Sequence, residues 1–415
     1  MSVKKVIRTA TIALSLDVLL KGQLEFLSKH YEVIAVSGGD NYLENVRERE
    51  KIKVKTVEIQ RNIAPLKDIQ SLLLLYQLFK KEKPYIVHSI TPKAGLLSML
   101  AAKFAGVPVR IHTFTGLIFP AKTGIMQKVL INMDRLLCWS ATLIIPEGQG
   151  VKNDLINYKI TSKPLKILAN GNVNGIDTAY FDKMLFSEAA NQSLRQQLKI
   201  APDDFVFIFV GRLVGDKGVN ELITAFKNIT STALSDHPST GLSDPALTAC
   251  SVPASTTFSD RLNLNLKLLL VGPYEQELDA LNSDTLQEID QNPNIISVGF
   301  QPDVRPYFAL ADALVFPSYR EGFPNVVLQA GAMELPAVVS DINGCNEIIK
   351  EGENGLIIPS KDAEALKEAM LKLITNAELY HHLKQNARPR IVQNYEQAVV
   401  WQAILEEYRK AEHHV

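Results

Sequence analysis

A chain of 415 residues, 46% apolar and 21% charged, is globular and too long for one ordinary domain, so two domains are expected. The cysteines Cys138, Cys250 and Cys345 are too few and too widely spaced for a disulfide framework or a zinc cluster, which fits a reducing compartment. The net charge of −1 hides an asymmetry: residues 1–175 hold 25 Lys+Arg against 13 Asp+Glu, and the remainder 19 against 32. The basic first half is expected to meet something anionic, whether nucleic acid, an anionic membrane surface or a lipid diphosphate.

The N-terminus, MSVKKVIRTATIALSL, is basic and then apolar. Asp17 and Lys21 interrupt it and no small-x-small cleavage site follows, so it reads as a first strand and loop. The first half then alternates. Strands are expected at 5–8, 32–36, 53–59, 85–88, 109–112, 141–145 and 165–168. Helices are expected at 18–29, 65–81, 92–104, 122–137 and 148–158. The run from Ser71 to Phe79 is the most apolar, but it is far shorter than the roughly 20 residues that cross a bilayer. No transmembrane segment is expected.

Asn170–Asp177, NGNVNGID, holds two Asn-Gly pairs and marks a connector between domains. The rhythm then restarts. Strands are expected at 205–210, 267–271, 295–298, 313–316, 337–340 and 356–358. Helices are expected at 219–229, 275–289, 304–310 and 345–350, with further helices to the end. Both halves therefore read as α/β, doubly wound parallel sheets. Ser231–Arg261 is rich in Ser, Thr, Pro and Ala and reads as a flexible surface insertion, with His237 and Cys250 given no chemical role.

Two stretches carry the chemistry. Gly211–Gly218, GRLVGDKG, follows an apolar strand and opens a helix. Its glycines let the backbone approach a ligand, Arg212 can grip a phosphate with two N–H bonds, and Lys217 adds a point charge, so the loop suits a diphosphate. It lacks the Gly-Lys-Ser/Thr order of a P-loop, and no G-x-G-x-x-G follows a strand. Ser318–Leu335, SYREGFPNVVLQAGAMEL, reads as strand end, tight loop and helix start, with Glu321 at the tip and Pro324 at a first-turn position. Free amides at that helix start favour an anion or a hydroxyl-rich ligand.

These stretches resemble the GT-B glycosyltransferases, specifically the retaining family four that uses nucleotide-sugar donors (glycosyl transferases group 1). GRLVGDKG is similar to its diphosphate loop, and VGFQPDVRPYFALADALVFPSYREGFPNVVLQAGAMELPAVVSDINGCNEII to its core stretch. LLKGQLEFLSKHYEVIAVSG, VHSITPKAGLLSMLAAKFAGVPVRIHTFTGL and NGNVNGIDTAYF resemble its first half more weakly. The likeness is nearest to the subgroup that builds bacterial surface polysaccharides on a lipid carrier. It implies a GT-B fold, two doubly wound Rossmann-like domains facing a central cleft. Residues 1–174 would form the acceptor-binding domain. Residues 175–395 would form the nucleotide-sugar-binding domain, interrupted by the insertion at 231–261, and 396–415 a C-terminal helix packing back on the first domain.

By position, the resemblance implies that Arg212 and Lys217 hold the donor diphosphate and that Glu321 bonds the donor sugar's hydroxyls. Gly211, Gly322, Phe323, Pro324 and Asn325 would face sugar and phosphate, although Pro324 has no amide to give. The backbone near Gly299, Phe300 and Gln301 would meet the base. The family's second glutamate falls eight residues after Glu321, where this chain has Gln329. A glutamine accepts with one oxygen and no charge, so weaker ribose binding is expected, by about 1 kcal/mol or more. A slip onto Glu334 would move the carboxylate to another part of the helix. Many relatives place a histidine just before a glycine in the first half, where this chain has Thr115-Gly116. The acceptor-side candidates are Lys21, His88, Lys93, His112 and Thr115, together with Lys122.

The expected activity is transfer of a sugar, with retention and without a metal or cofactor, from a nucleotide-diphosphate sugar, UDP for preference, to a lipid-linked saccharide. Expected partners are that donor, a polyprenyl-diphosphate-linked acceptor and an anionic membrane surface, and not nucleic acid. The expected location is cytoplasmic, peripheral on the inner face of the plasma membrane. A nucleotide-sugar 2-epimerase of the same fold and a non-catalytic nucleotide-sugar binder are the alternatives.

Overall fold

A computed structural model describes residues 3–62, 64–235 and 265–413. The chain forms two compact units, Met1–Asp177 with Asn394–Val415, and Thr178–Gln393. Within the first, six parallel strands are β1 (Lys5–Thr9), β2 (Glu32–Ser37), β3 (Lys53–Thr56), β4 (Ile86–Ser89), β5 (Val109–Phe114) and β6 (Leu143–Pro146). Their order is β3-β2-β1-β4-β5-β6. The second unit holds β7 (Phe205–Val210), β8 (Leu266–Val271), β9 (Ile295–Ser297), β10 (Ala313–Phe316), β11 (Ala337–Ser340) and β12 (Gly355–Ile358), in the order β12-β11-β10-β7-β8-β9. Each unit thus repeats one topology in which the chain reverses direction across the sheet, at β1/β4 and at β7/β10. Ligands of doubly wound sheets bind beyond the carboxyl ends of the strands at that reversal.

The first sheet is buried on both faces because its strands point alternate side chains opposite ways. Val6 enters one core with Leu16, Leu24 and, from the C-terminal helix Gln397–His413, Val400, Ile404 and Tyr408. Ile7 enters the other with Phe79, Leu97 and Leu137, which come from helices Pro65–Glu82, Pro92–Ala105 and Gly124–Ser140. Pro65 and Pro92 sit at first helical positions, where a missing N–H costs nothing. Helix Pro65–Glu82 buries Ser71, Leu75 and Phe79, four residues apart, and leaves Leu66, Ile69, Leu73 and Leu74 exposed.

Several expected elements change shape. The helix expected at 18–29 is two, Ala13–Leu19 and Gln23–Ser28, separated at Gly22, whose φ is +80°. The strand expected at 165–168 reduces to a single bridge of Leu165 with Ile144. Helices Asn41–Glu50 and Glu188–Gln197 were not foreseen. Both are polar, and each starts on a side-chain cap, Asp40 and Ser187. The helix after β7 runs on to Ser235. The rest of the expected insertion, 236–261 with His237 and Cys250, lies outside the described residues.

Candidate functional site

The site is built where β7 and β10 end side by side. β7 is apolar and almost wholly buried, and it delivers Gly211 at a φ of +155°. A single turn, Gly215–Lys217, then closes on Gly218 at φ +71°. An added Cβ at Gly218 would lie 2.0 Å from the Pro317 carbonyl oxygen, so only glycine lets this loop touch the one after β10. The Tyr319 amide donates to the Asp216 carbonyl at 2.9 Å and joins the two backbones.

That contact brings Lys217 to Glu321. Their side chains form an ion pair and are each 17% exposed. Ser318, fully buried, donates to the same Glu321 oxygen at 2.8 Å. Glu321 is therefore held from two sides, its carboxylate fixed rather than solvated. Arg212 lies on the same loop as Lys217 and pairs with Glu275 at 2.9 Å. Glu275 follows β8, whose exit is locked to that of β7: Leu213 donates to the Pro273 carbonyl at 2.8 Å, and a Cβ on Gly272 would meet the Gly211 carbonyl oxygen at 1.8 Å.

The loop after β11 packs beneath Glu321. Gly344 has φ +75°, and a Cβ there would lie 2.5 Å from the Gly322 carbonyl oxygen and 2.7 Å from Phe323 Cα. Next to it, Cys345 is fully buried, and burial, then the charge of Glu321, holds its thiol well above its usual range. It is not poised as a nucleophile. Pro324 stands at the cap of helix Asn325–Ala332, one residue ahead of its expected place. Gln329 is half-buried on that helix, one turn beyond Asn325. Glu334 lies five residues beyond Gln329, past the helix end and at φ +66°, and does not stand in for it. Beyond β9, Gly299 has φ +66° and its carbonyl accepts from the Gly272 amide, while Phe300 is 70% exposed. Among the described residues no group of three or more His, Cys, Asp or Glu could hold a metal ion.

The first unit corrects two expectations. His88 and His112 were expected on the acceptor side, but both are buried core residues. His88 spends Nδ1 on the Tyr408 hydroxyl at 2.7 Å and Nε2 on the Thr113 hydroxyl at 2.8 Å, leaving no ring nitrogen for a ligand. Burial, then the nearby charge of Arg8, pushes its pKa well down. His112 bonds Ser89 at 2.8 Å, stands edge-on to Phe114, and is pushed down to about 3 by burial. The β pattern places alternate strand residues inward, and no sequence signal separates a packed histidine from one at a strand end. Lys93 pairs with Asp68 at 2.6 Å and Thr115 donates to the Ile90 carbonyl at 3.0 Å, so both are anchored near strand ends. Lys21 and Lys122 are exposed. Sequence reasoning missed Ser318 and Glu275. Ser318 lay in the quoted stretch, but nothing in its spacing showed that it reaches Glu321.

Comparisons with known proteins bear on this arrangement. Residues 246–390 match the family model for glycosyl transferases group 1, and residues 12–147 that for glycosyl transferase 4-like domains. A capsular polysaccharide biosynthesis glycosyltransferase, CapM of Staphylococcus aureus, is 30% identical over 403 residues, covering 97% of this chain and 96% of its own. The chain belongs to the group 1 glycosyl transferases. It is accordingly an enzyme that transfers a sugar. A second relative, an Escherichia coli UDP-Gal:α-D-GlcNAc-diphosphoundecaprenol α-1,3-galactosyltransferase, is 26% identical over 81% of this chain and 78% of its own. The crystal structure of Anabaena HepE with UDP and glucose superposes with a TM-score of 0.75 at 18% identity, over 98% of this chain and all of that one. At that identity the likeness establishes the fold alone, the two-domain GT-B architecture.

Proposed function

We propose that this glycosyltransferase moves a hexosyl unit from a UDP-sugar to a hydroxyl of a polyprenyl-diphosphate-linked saccharide during surface-polysaccharide synthesis, with retention and without a metal. The observation that carries the reading is the Lys217–Glu321 pair at the topological reversal of the second unit, with Arg212 on the same loop as Lys217. A sugar on a diphosphate already has a good leaving group. What remains is to stabilise charge on the departing phosphate and to hold the acceptor oxygen near the anomeric carbon. Arg212 and Lys217 supply the first. Glu321 accepts from the donor sugar's hydroxyls, and Phe300 offers an exposed ring beside the base. The incoming hydroxyl attacks on the face that the nucleotide leaves, and the phosphate takes its proton. The name of the Escherichia coli relative supports a lipid-diphosphate acceptor and a UDP donor, and that of the Staphylococcus aureus relative supports surface-polysaccharide synthesis.

The acceptor's lipid calls for a membrane surface. No described helix is long and apolar enough to cross one. Helix Gly124–Ser140 exposes Ile125, Met126, Val129, Leu136 and Trp139 beside Lys128 and Arg135, and both it and helix Pro65–Glu82 pack on helix Pro92–Ala105. This apolar and basic face of the first unit is proposed to rest on an anionic leaflet, with Lys21, Lys93, Lys122 and Thr115 serving the acceptor.

The test is a panel of UDP- and GDP-sugars, with and without lipid-linked acceptor, read as nucleotide release in EDTA. Release that requires acceptor and survives EDTA is expected. Glu321→Ala and Lys217→Ala should each abolish it, and full activity in both variants would place the site elsewhere. Binding to anionic vesicles should fall at high salt, and equal binding to neutral vesicles would refute the docking face.

A further inference from the structure

The Arg212 guanidinium has one partner among the described residues, the Glu275 carboxylate, reached through Nη1. That carboxylate does not belong to the loop that carries Arg212. It arrives from the exit of β8, and Leu213 and Tyr274 form a parallel bridge that holds the two exits in register. Glycine at 272 lets the two exits approach this closely, and the Gly211 and Leu213 amides, donating to the Val271 and Pro273 carbonyls at 2.9 and 2.8 Å, tie them together. Both side chains are more than a third exposed, so the pair itself contributes little to folding. Its consequence lies in what it opposes. A fixed negative charge stands beside the guanidinium that must grip a ligand carrying two phosphates.

We infer that Glu275 limits how tightly the enzyme holds the diphosphate, occupying Arg212 when the site is empty and opposing retention of the nucleotide product after transfer. This rests on the donor-site reading of Arg212 given above. Before transfer, the sugar adds its own contacts at Glu321, and these offset the repulsion from Glu275. After transfer the sugar has left with the acceptor, and the nucleoside diphosphate keeps only the phosphate grip. The carboxylate then competes for Arg212 and drives the product out. Binding energy that would hold substrate and product equally is thereby withheld, and turnover benefits.

Glu275→Gln removes the charge but keeps an acceptor oxygen within reach of Arg212. Glu275→Asp keeps the charge. The measurement is titration calorimetry of UDP, GDP and UMP on the full chain, with dissociation followed by stopped flow. For whichever diphosphate binds the wild type more tightly, Glu275→Gln should bind about three- to tenfold more tightly and release more slowly. UMP affinity should move less, and Glu275→Asp should stay near wild type. In steady state Glu275→Gln should lower KM and kcat together, a pattern that a loss of structure does not produce. Equal or weaker diphosphate binding by Glu275→Gln overturns the inference while leaving the donor site standing. If neither UDP nor GDP binds the wild type, and Arg212→Ala behaves identically, the donor-site reading fails and the inference falls with it.

Discussion

Replacing Lys217 by methionine tests the centre of the site. The stem is retained, and with it the packing near Phe316, whose ring centre lies 5.9 Å from the ammonium. The charge is lost. Glu321 keeps the Ser318 hydroxyl as a donor, so its carboxylate is not orphaned. The pair is mostly shielded, with both side chains at 17% exposure, which puts its contribution to stability near the upper end for partly exposed pairs, about 1 kcal/mol. The catalytic cost is larger. A fixed cation facing charge that develops on a leaving group contributes about 3–4 kcal/mol, or roughly a hundred- to a thousandfold in kcat. The expected outcome is a melting temperature lowered by only a few degrees and nucleotide release slowed by at least about a hundredfold. Steady-state rates with saturating donor and acceptor, beside thermal denaturation of the same protein, measure both. A double-mutant cycle with Glu321→Gln should show strong coupling, because each residue holds the other. Activity in Lys217→Met within about threefold of wild type would refute the assignment of leaving-group stabilisation to this lysine.

Two further outcomes follow from the same geometry. Gln329→Glu should tighten nucleotide binding about fivefold if the ribose reaches this helix, the size of one charge-assisted hydrogen bond; unchanged affinity for both UDP and GDP would remove the ribose from this position. Stability should fall in acid below about pH 6.5, because His88 and His112 stay neutral in the fold while the unfolded chain binds protons, up to about 1.4 kcal/mol per pH unit for each histidine, with the window for His112 reaching down to about 3. Urea midpoints between pH 7 and 5 check this, and a slope that survives replacing both histidines by glutamine would assign it elsewhere.

Much of the fold was legible because its strands are short apolar runs flanked by turn residues. β7 and β10, both central and buried on two faces, begin and end where periodicity placed them. Weakly amphipathic pieces were not legible. Asn41–Glu50 shows only Leu43 and Val46 as apolar inward residues, too few to distinguish it from a polar loop. Glycine at 218 was recognised as allowing close approach, but its neighbour, the Pro317 carbonyl, is 99 residues away in the chain.

The sequence by itself determined the two doubly wound units and which loops carry the cations and the carboxylate. Those properties are local: hydrophobic period, turn chemistry and the residue types within one loop. Tertiary structure alone decided the pairings. It set Lys217 against Glu321, placed Ser318 behind the same carboxylate and Glu275 across from Arg212, and withdrew His88 and His112 into the core. The pairs between loops, Lys217 with Glu321 and Arg212 with Glu275, depend on which strands lie side by side in a parallel sheet. Neighbouring strands there are separated by whole helices, so contacts between their ends are not written in any local spacing.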